Sequence, residues 1–228
     1  MTKLLSTEQM AEFANSGCLF FEGLIDEDIN KEFLNDIGHT DIDDVDNIQH
    51  YFQNIKSSSS IPRIPAGTAL KDAYPLNSPL EKIFKNEIVS GAINSLVGSK
   101  TVVDHQFLHL TFPSKYYEKT NQRQMSQVNH QDSTIDPRTT FDIQLFYFPT
   151  AVTKEMGGTR YIPGTHLRIV NEMGIAKYQN IKGQKNIICK AGTIGIFHNG
   201  LWHGAGVNFS DDIRYMFKVR LQPTEKQE

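Results

Sequence analysis

The sequence predicts an antiparallel β-sandwich or barrel flanked by helices. From residue 101 onward, short runs rich in Val, Ile, Phe and Tyr are punctuated by Gly, Pro and Asn, the composition of strands and turns. No helical spacer of βαβ type lies between them, which argues against a parallel sheet. Before Gly98, in contrast, apolar residues recur at helical spacing.

Ser6-Thr7-Glu8-Gln9 is a capping box that starts a helix. Met10, Phe13 and Ala14 give its stripe, and Gly17 is its stop. Cys18 to Phe21 is long enough for one buried strand. A second helix starts at Asp26, buries Ile29, Phe33 and Ile37, and ends near Gly38. Residues 39–77 read as loop with short elements, acidic at Asp41, Asp43, Asp44 and Asp46. Ser78-Pro79-Leu80-Glu81 is a second capping box with proline in the first turn. The apolar spacing from Leu80 to Leu96 then predicts one helix over 79–97. The strand-like runs are 101–103, 107–112, 141–148, 186–189, 193–197 and 213–221. Residues 1–228 are read as one domain, with 1–98 a mostly helical flank and 99–228 the barrel core.

A chain of 228 residues can bury a substantial core, and a net charge of −3 gives no basic face for nucleic acid. No apolar run of about 18 residues exists for a membrane span. The first residues turn polar at once, so no secretory signal is expected. Cys18 and Cys189, the only cysteines, exclude a disulfide framework and point to the cytoplasm.

The chemistry sits on histidines. In His130-Gln131-Asp132 an imidazole and a carboxylate stand two residues apart, on one side of a strand. Both can reach one metal ion, with His203 or His198 as the third ligand. Two histidines and a carboxylate are the facial triad of non-haem Fe(II) oxygenases, which leaves coordination positions open. Arg214 follows His203 by eleven positions and can pair bidentately with a carboxylate such as that of 2-oxoglutarate. Strand alternation groups Arg214 with Met216, Lys218 and Arg220, opposite Ile213, Tyr215, Phe217 and Val219, and does not say which face is inside.

These motifs resemble the phytanoyl-CoA dioxygenase-like family of Fe(II)/2-oxoglutarate oxygenases over most of the chain. The resemblance rests on the N-terminal run from Leu5 through Gly17 to Ile25 and on His130-Gln131-Asp132. It rests also on Gly157-Gly158-Thr159-Arg160 through Pro163-Gly164-Thr165-His166, and on Gly192 to Phe197 followed by His203, Asn208, Ser210 and Arg214. It implies a double-stranded β-helix, a cupin-like jelly-roll barrel, with helices packed on one side. It implies His130, Asp132 and His203 as iron ligands and Arg214 as the partner of the distal carboxylate of 2-oxoglutarate. The activity implied is hydroxylation of a small molecule with O2, releasing succinate and CO2. Family halogenases replace the carboxylate with a small residue, so Asp132 favours hydroxylation or a related oxidation.

Many relatives carry Lys or Asn on the strand before His-x-Asp, assisting the keto-acid end of the cosubstrate. Here Thr111 or His109 stands in that stretch. Gln144 and Tyr147, on the strand after the motif, are candidates to face the cavity and bond cosubstrate or substrate. The candidate assignments are therefore Arg214, Thr111 and Gln144 for the cosubstrate, and His109, Gln131 and Tyr147 for the substrate. The loop 115–127, with Lys119 and Arg123, is expected over the mouth. Asn208 and Ser210 are expected to fix the turn before Arg214. Two rival functions stay open: a cupin-like metal protein that does not use 2-oxoglutarate, and a non-catalytic β-sandwich binding module.

Overall fold

The computed structural model describes residues 3–40, 45, 51, 61–118, 124, 126–132, 141–168, 174 and 180–224. The acidic positions Asp41 to Asp46 other than Val45, along with His50, Lys119, Arg123 and Arg138, lie outside the described residues.

The first helix, α1 (Thr7–Ser16), carries the full capping box: Ser6 Oγ accepts from Gln9 N, and the Gln9 side chain accepts from Ser6 N. Gly17 ends it in the left-handed region, at φ 76°. Strand β1 (Cys18–Phe21) and helix α2 (Glu27–Asp36) follow as expected. A short strand β2 (Thr68–Ala69) runs into a 3-10 turn.

The single helix expected over 79–97 is two: α3 (Pro79–Lys85) and α4 (Glu87–Leu96). Asn86 breaks it. Its backbone is extended, at φ −53° and ψ 132°, and its Oδ1 accepts from the N–H groups of Ile88 and Val89. An asparagine that caps the next helix withdraws its own backbone from the preceding one.

Two antiparallel sheets face each other. The larger has the order β1-β8-β5-β10-β3-β2, with β3 Thr101–Thr111, β5 Ile143–Phe148, β8 Thr193–His198 and β10 Arg214–Pro223. The smaller has the order β4-β9-β6-β7, with β4 Gln127–His130, β6 Thr159–Tyr161, β7 Lys185–Asn186 and β9 His203–Ala205. A one-turn helix, α5 (Ser114–Glu118), follows β3. The larger sheet takes its two outermost strands, β1 and β2, from the N-terminal hundred residues, so the helical flank and the barrel share a sheet. The two runs expected at 101–103 and 107–112 form one strand. The run expected at 186–189 is instead split: Ile187 N bonds to Thr159, whereas Cys189 bridges to Val152.

Alternation sets the layers. From β5, β8 and β10, one face presents Leu145, Tyr147, Ile194, Ile196, Phe217 and Val219 to Phe13, Phe33, Leu80, Ile83 and Ile93 of the helices. The opposite face presents Phe146, Phe148 and Phe197 to Tyr161, Val152 and Ile187 around the smaller sheet. Each fully buried Phe or Ile contributes roughly 1.5–3 kcal/mol relative to exposure. The helices therefore seal one side of the large sheet and leave its other face to line the barrel.

Candidate metal centre and cosubstrate pocket

Strands β4 and β9 pair antiparallel with a register shift between Gln127 and His130, which sets His130 opposite His203. This pairing brings the two rings together, centroids 4.4 Å apart. Each Nδ1 lies 2.9 Å from a carbonyl two residues earlier, of Val128 for His130 and of Leu201 for His203. An Nδ1–H donating to these carbonyls leaves Nε2 with its lone pair, the form a metal takes.

Strand β4 ends at His130, so Asp132 reaches the site from the bend that follows rather than from the strand. Its Oδ1 lies 3.2 Å from His130 Nε2 and its Oδ2 lies 3.4 Å from His203 Nε2. Ligand atoms of the three residues all lie within 4.8 Å of one another. In the metal-free site, where Nε2 of both rings can carry a proton, burial pushes the Asp132 carboxyl up, but hydrogen bonds from His130 and His203, the His203 charge and the Lys218 charge outweigh it. The net effect holds the group well below the usual carboxylate range. Two imidazole nitrogens and a carboxylate oxygen on one side fit Fe(II) or a similar divalent ion, with the cavity beside them for further ligands.

The cavity measures about 440 Å³ and is lined by His109, Thr111, Phe146, His203, Arg214 and Lys218, among others. A larger, more apolar cavity of about 620 Å³ lies by α3, α4 and the start of β3; none of the three metal-ligand candidates lines it.

Arg214 opens β10 opposite Thr111 and is buried, 7% exposed. The face that alternation left open is thus the inner one. Its Nη1 donates to the carbonyls of Met156 (2.6 Å) and Gly157, and its Nη2 to Thr111 Oγ1 (2.9 Å). That uses three of five N–H donors. Nε–H and one Nη2–H remain without a partner among the described residues. Burial lowers its pKa to about 10, which keeps it a cation at neutral pH. Asn208 fixes the approach: its Nδ2 donates to the carbonyls of Thr111 and Asp212, and its Oδ1 accepts from Ser210 N and Oγ.

Several expected contacts are placed differently. Thr111 lines the cavity, but its hydroxyl partner is Arg214, not a metal ligand. Gln144 points inward yet is absorbed by protein: its Nε2 lies 2.5 Å from both Asp132 Oδ2 and Asn199 Oδ1. It braces the Asp132 carboxylate and does not line the cavity, and its Oε1 is buried without a partner among the described residues. Gln131 turns away from the cavity and donates to the carbonyls of Arg168 and Gly200. Tyr147 is on the helix side, where its hydroxyl bonds to Asn30 Oδ1 at 2.7 Å and its ring packs on Phe33. Odd and even positions of β5 face opposite layers, so Gln144 and Tyr147 cannot share one.

His109 does line the cavity, with its ring exposed there; the cavity walls first, then the Lys218 charge, lower its pKa from the ordinary value, which favours the neutral ring. His198 is excluded as the third ligand, because it faces Phe13, Phe141 and His166 on the other side of β8. Lys218 was not anticipated. Its Nζ lies 2.5 Å from Asp132 Oδ2. The signal was present in the sequence, since Lys218 shares Arg214's strand parity.

The family model for phytanoyl-CoA dioxygenase (PhyH) matches residues 13–216. The chain belongs to the phytanoyl-CoA dioxygenase family. It is therefore an enzyme of a family that depends on Fe(II), 2-oxoglutarate and O2. No curated protein matches it significantly. Among solved structures, HygX from Streptomyces hygroscopicus with nickel and 2-oxoglutarate bound superposes with a TM-score of 0.67 at 12% identity, covering 96% of this chain and 88% of HygX. SnoK, a non-heme alpha ketoglutarate dependent carbocyclase from nogalamycin biosynthesis, gives 0.66 at 16% identity, covering 99% and 88%. EvdMO1 gives 0.63 at 19% identity, covering 96% of this chain; the chain spans 50% of EvdMO1's length. These likenesses show that the fold of this dioxygenase-family member is the cupin-like jelly roll. No helix among the described residues is long and apolar enough to cross a membrane.

Proposed function

We propose that this chain is an Fe(II)/2-oxoglutarate-dependent hydroxylase of a small molecule. His130, Asp132 and His203 hold the iron, and Arg214 holds the distal carboxylate of 2-oxoglutarate. The observation that carries the reading is convergence: two imidazoles and a carboxylate meet beside a cavity whose wall carries a buried, partly unsatisfied guanidinium.

Iron, 2-oxoglutarate and O2 supply the oxidising chemistry, returning succinate, CO2 and a substrate carrying one oxygen atom. The chain does the rest. The Val128 and Leu201 carbonyls hold the two rings with Nε2 toward the metal. Gln144 and Lys218 hold the Asp132 carboxylate. The Nε and Nη2 donors of Arg214 offer a forked contact that fixes one end of the cosubstrate. His109, neutral on the cavity wall, can donate or accept a hydrogen bond to substrate without adding charge. Asp132 occupies the carboxylate position, which favours hydroxylation over halogenation.

The reading takes residues 1–228 as a single catalytic domain acting in the cytoplasm on a soluble metabolite. The core shared by helices and large sheet supports one unit, and the two buried free cysteines suit a reducing compartment.

The test is anaerobic addition of Fe(II) and 2-oxoglutarate, followed by O2. A visible absorption band, then succinate release, is expected; a pool of candidate metabolites should yield a product heavier by one oxygen. Absence of both band and succinate sinks the reading.

A further inference from the structure

Lys218 follows Arg214 by four positions on the inward face of β10, is 8% exposed, and lines the same cavity. Its ammonium sits on Asp132 Oδ2, the oxygen that also accepts from Gln144. An ammonium taken out of water needs a compensating anion. Here that anion is the carboxylate assigned to the metal. The ammonium and a divalent ion therefore draw on the same negative charge, whether or not they share an oxygen. With metal bound and no cosubstrate, Lys218 and the metal share Asp132, while Arg214 has no carboxylate partner among the described residues. A dianion with a carboxylate at each end reverses that imbalance.

Resting on the assignment of metal and cosubstrate above, we propose that Lys218 sets the balance between them. Its charge weakens binding of the metal alone and strengthens binding of the dianion to the metal-loaded site.

The experiment titrates Mn(II), a redox-inert stand-in, by calorimetry, and then titrates 2-oxoglutarate into the metal-loaded protein. Lys218→Gln keeps a donor to Asp132 and removes the charge. It is expected to bind Mn(II) alone about tenfold more tightly and 2-oxoglutarate about tenfold more weakly. Lys218→Met carries the same expectation and serves if the first variant fails to fold, as judged by thermal unfolding. Lys218→Arg keeps both affinities near those of the unaltered protein. If Lys218→Gln retains both original affinities, or binds the metal more weakly, Lys218 only braces Asp132 and the proposal is refuted. If the unaltered protein takes up no Mn(II), the metal assignment falls and the proposal falls with it.

Discussion

His130 and His203 are direct partners in the β4–β9 ladder, so their imidazoles are set side by side by backbone pairing. A site registered in this way keeps its spacing without help from the long connections between its ligands. Asp132, just past the strand end, closes the group from between the rings.

The ligand assignment makes a discriminating prediction about histidines. His203→Ala should lower metal affinity more than about a hundredfold, the upper range for perturbing even an outer-shell partner. His198→Ala should leave metal bound, because its ring lies across β8 among Phe13, Phe141 and His166. Asp132→Ala should abolish turnover. Metal analysis of the purified variants decides it, and the opposite pattern between His198 and His203 would exchange their roles.

Arg214→Lys should raise the 2-oxoglutarate concentration needed for half-maximal succinate release about tenfold or more. A point cation cannot reproduce the forked contact, nor hold both the Met156 carbonyl and the Thr111 hydroxyl. Thr111→Val should act in the same direction but less, since it removes one acceptor that orients the guanidinium. An unchanged cosubstrate requirement in both variants would remove Arg214 from the site.

Gly157 has φ 58°, and a Cβ there would lie 2.0 Å from the Val207 carbonyl oxygen. Gly157→Ala should destabilise the fold by at least about 2 kcal/mol. Its carbonyl is also an Arg214 acceptor, so cosubstrate binding should weaken as well. Gly38→Ala is the control: φ is 72° but nothing lies within 4 Å, so the cost should stay near about 1 kcal/mol. Urea denaturation of both variants compares them.

Burial, followed by the nearby His166, lowers the His198 pKa to about 4 from an ordinary 6.5. Between those values the unfolded chain binds a proton that the folded chain refuses. Stability from this group is therefore complete above about pH 6.5 and is lost as pH falls toward 4, by up to about 3 kcal/mol. His198→Asn keeps an acceptor for the Gly200 N–H and should flatten this slope. Melting temperatures from pH 7 to pH 4.5 would show it; parallel curves for the two proteins would refute the assignment.

Tyr147→Phe should leave cosubstrate and substrate kinetics unaltered while costing about 1 kcal/mol or more, since Asn30 Oδ1 loses the donor it has there. A change in substrate KM without a change in stability would place Tyr147 in the cavity after all.

The helical and large-sheet elements were legible because their apolar residues keep period across several turns or pleats. The small sheet was not. Thr159–Tyr161 and His203–Ala205 are three residues each, too short and too rich in Gly, Thr and Arg for alternation to appear. The meeting of His130, Asp132 and His203 could be read because spacing and residue type carry it. Side-chain direction could not: Gln131 and Tyr147 were assigned to the cavity from their neighbourhood in sequence, whereas pleat parity and the turn at Gly200 aim them elsewhere. Lys218 is hidden for a related reason. A lysine on a strand reads as solvent-facing until the polar face is known to be enclosed.

One strand, β10, gives Tyr215, Phe217 and Val219 to the helices and Arg214, Met216 and Lys218 to the cavity. Losing or gaining a single amino acid inside it would swap those two sets, pushing charge among the aromatics and grease into the reaction chamber. Length at this position is therefore guarded twice over, by folding and by chemistry.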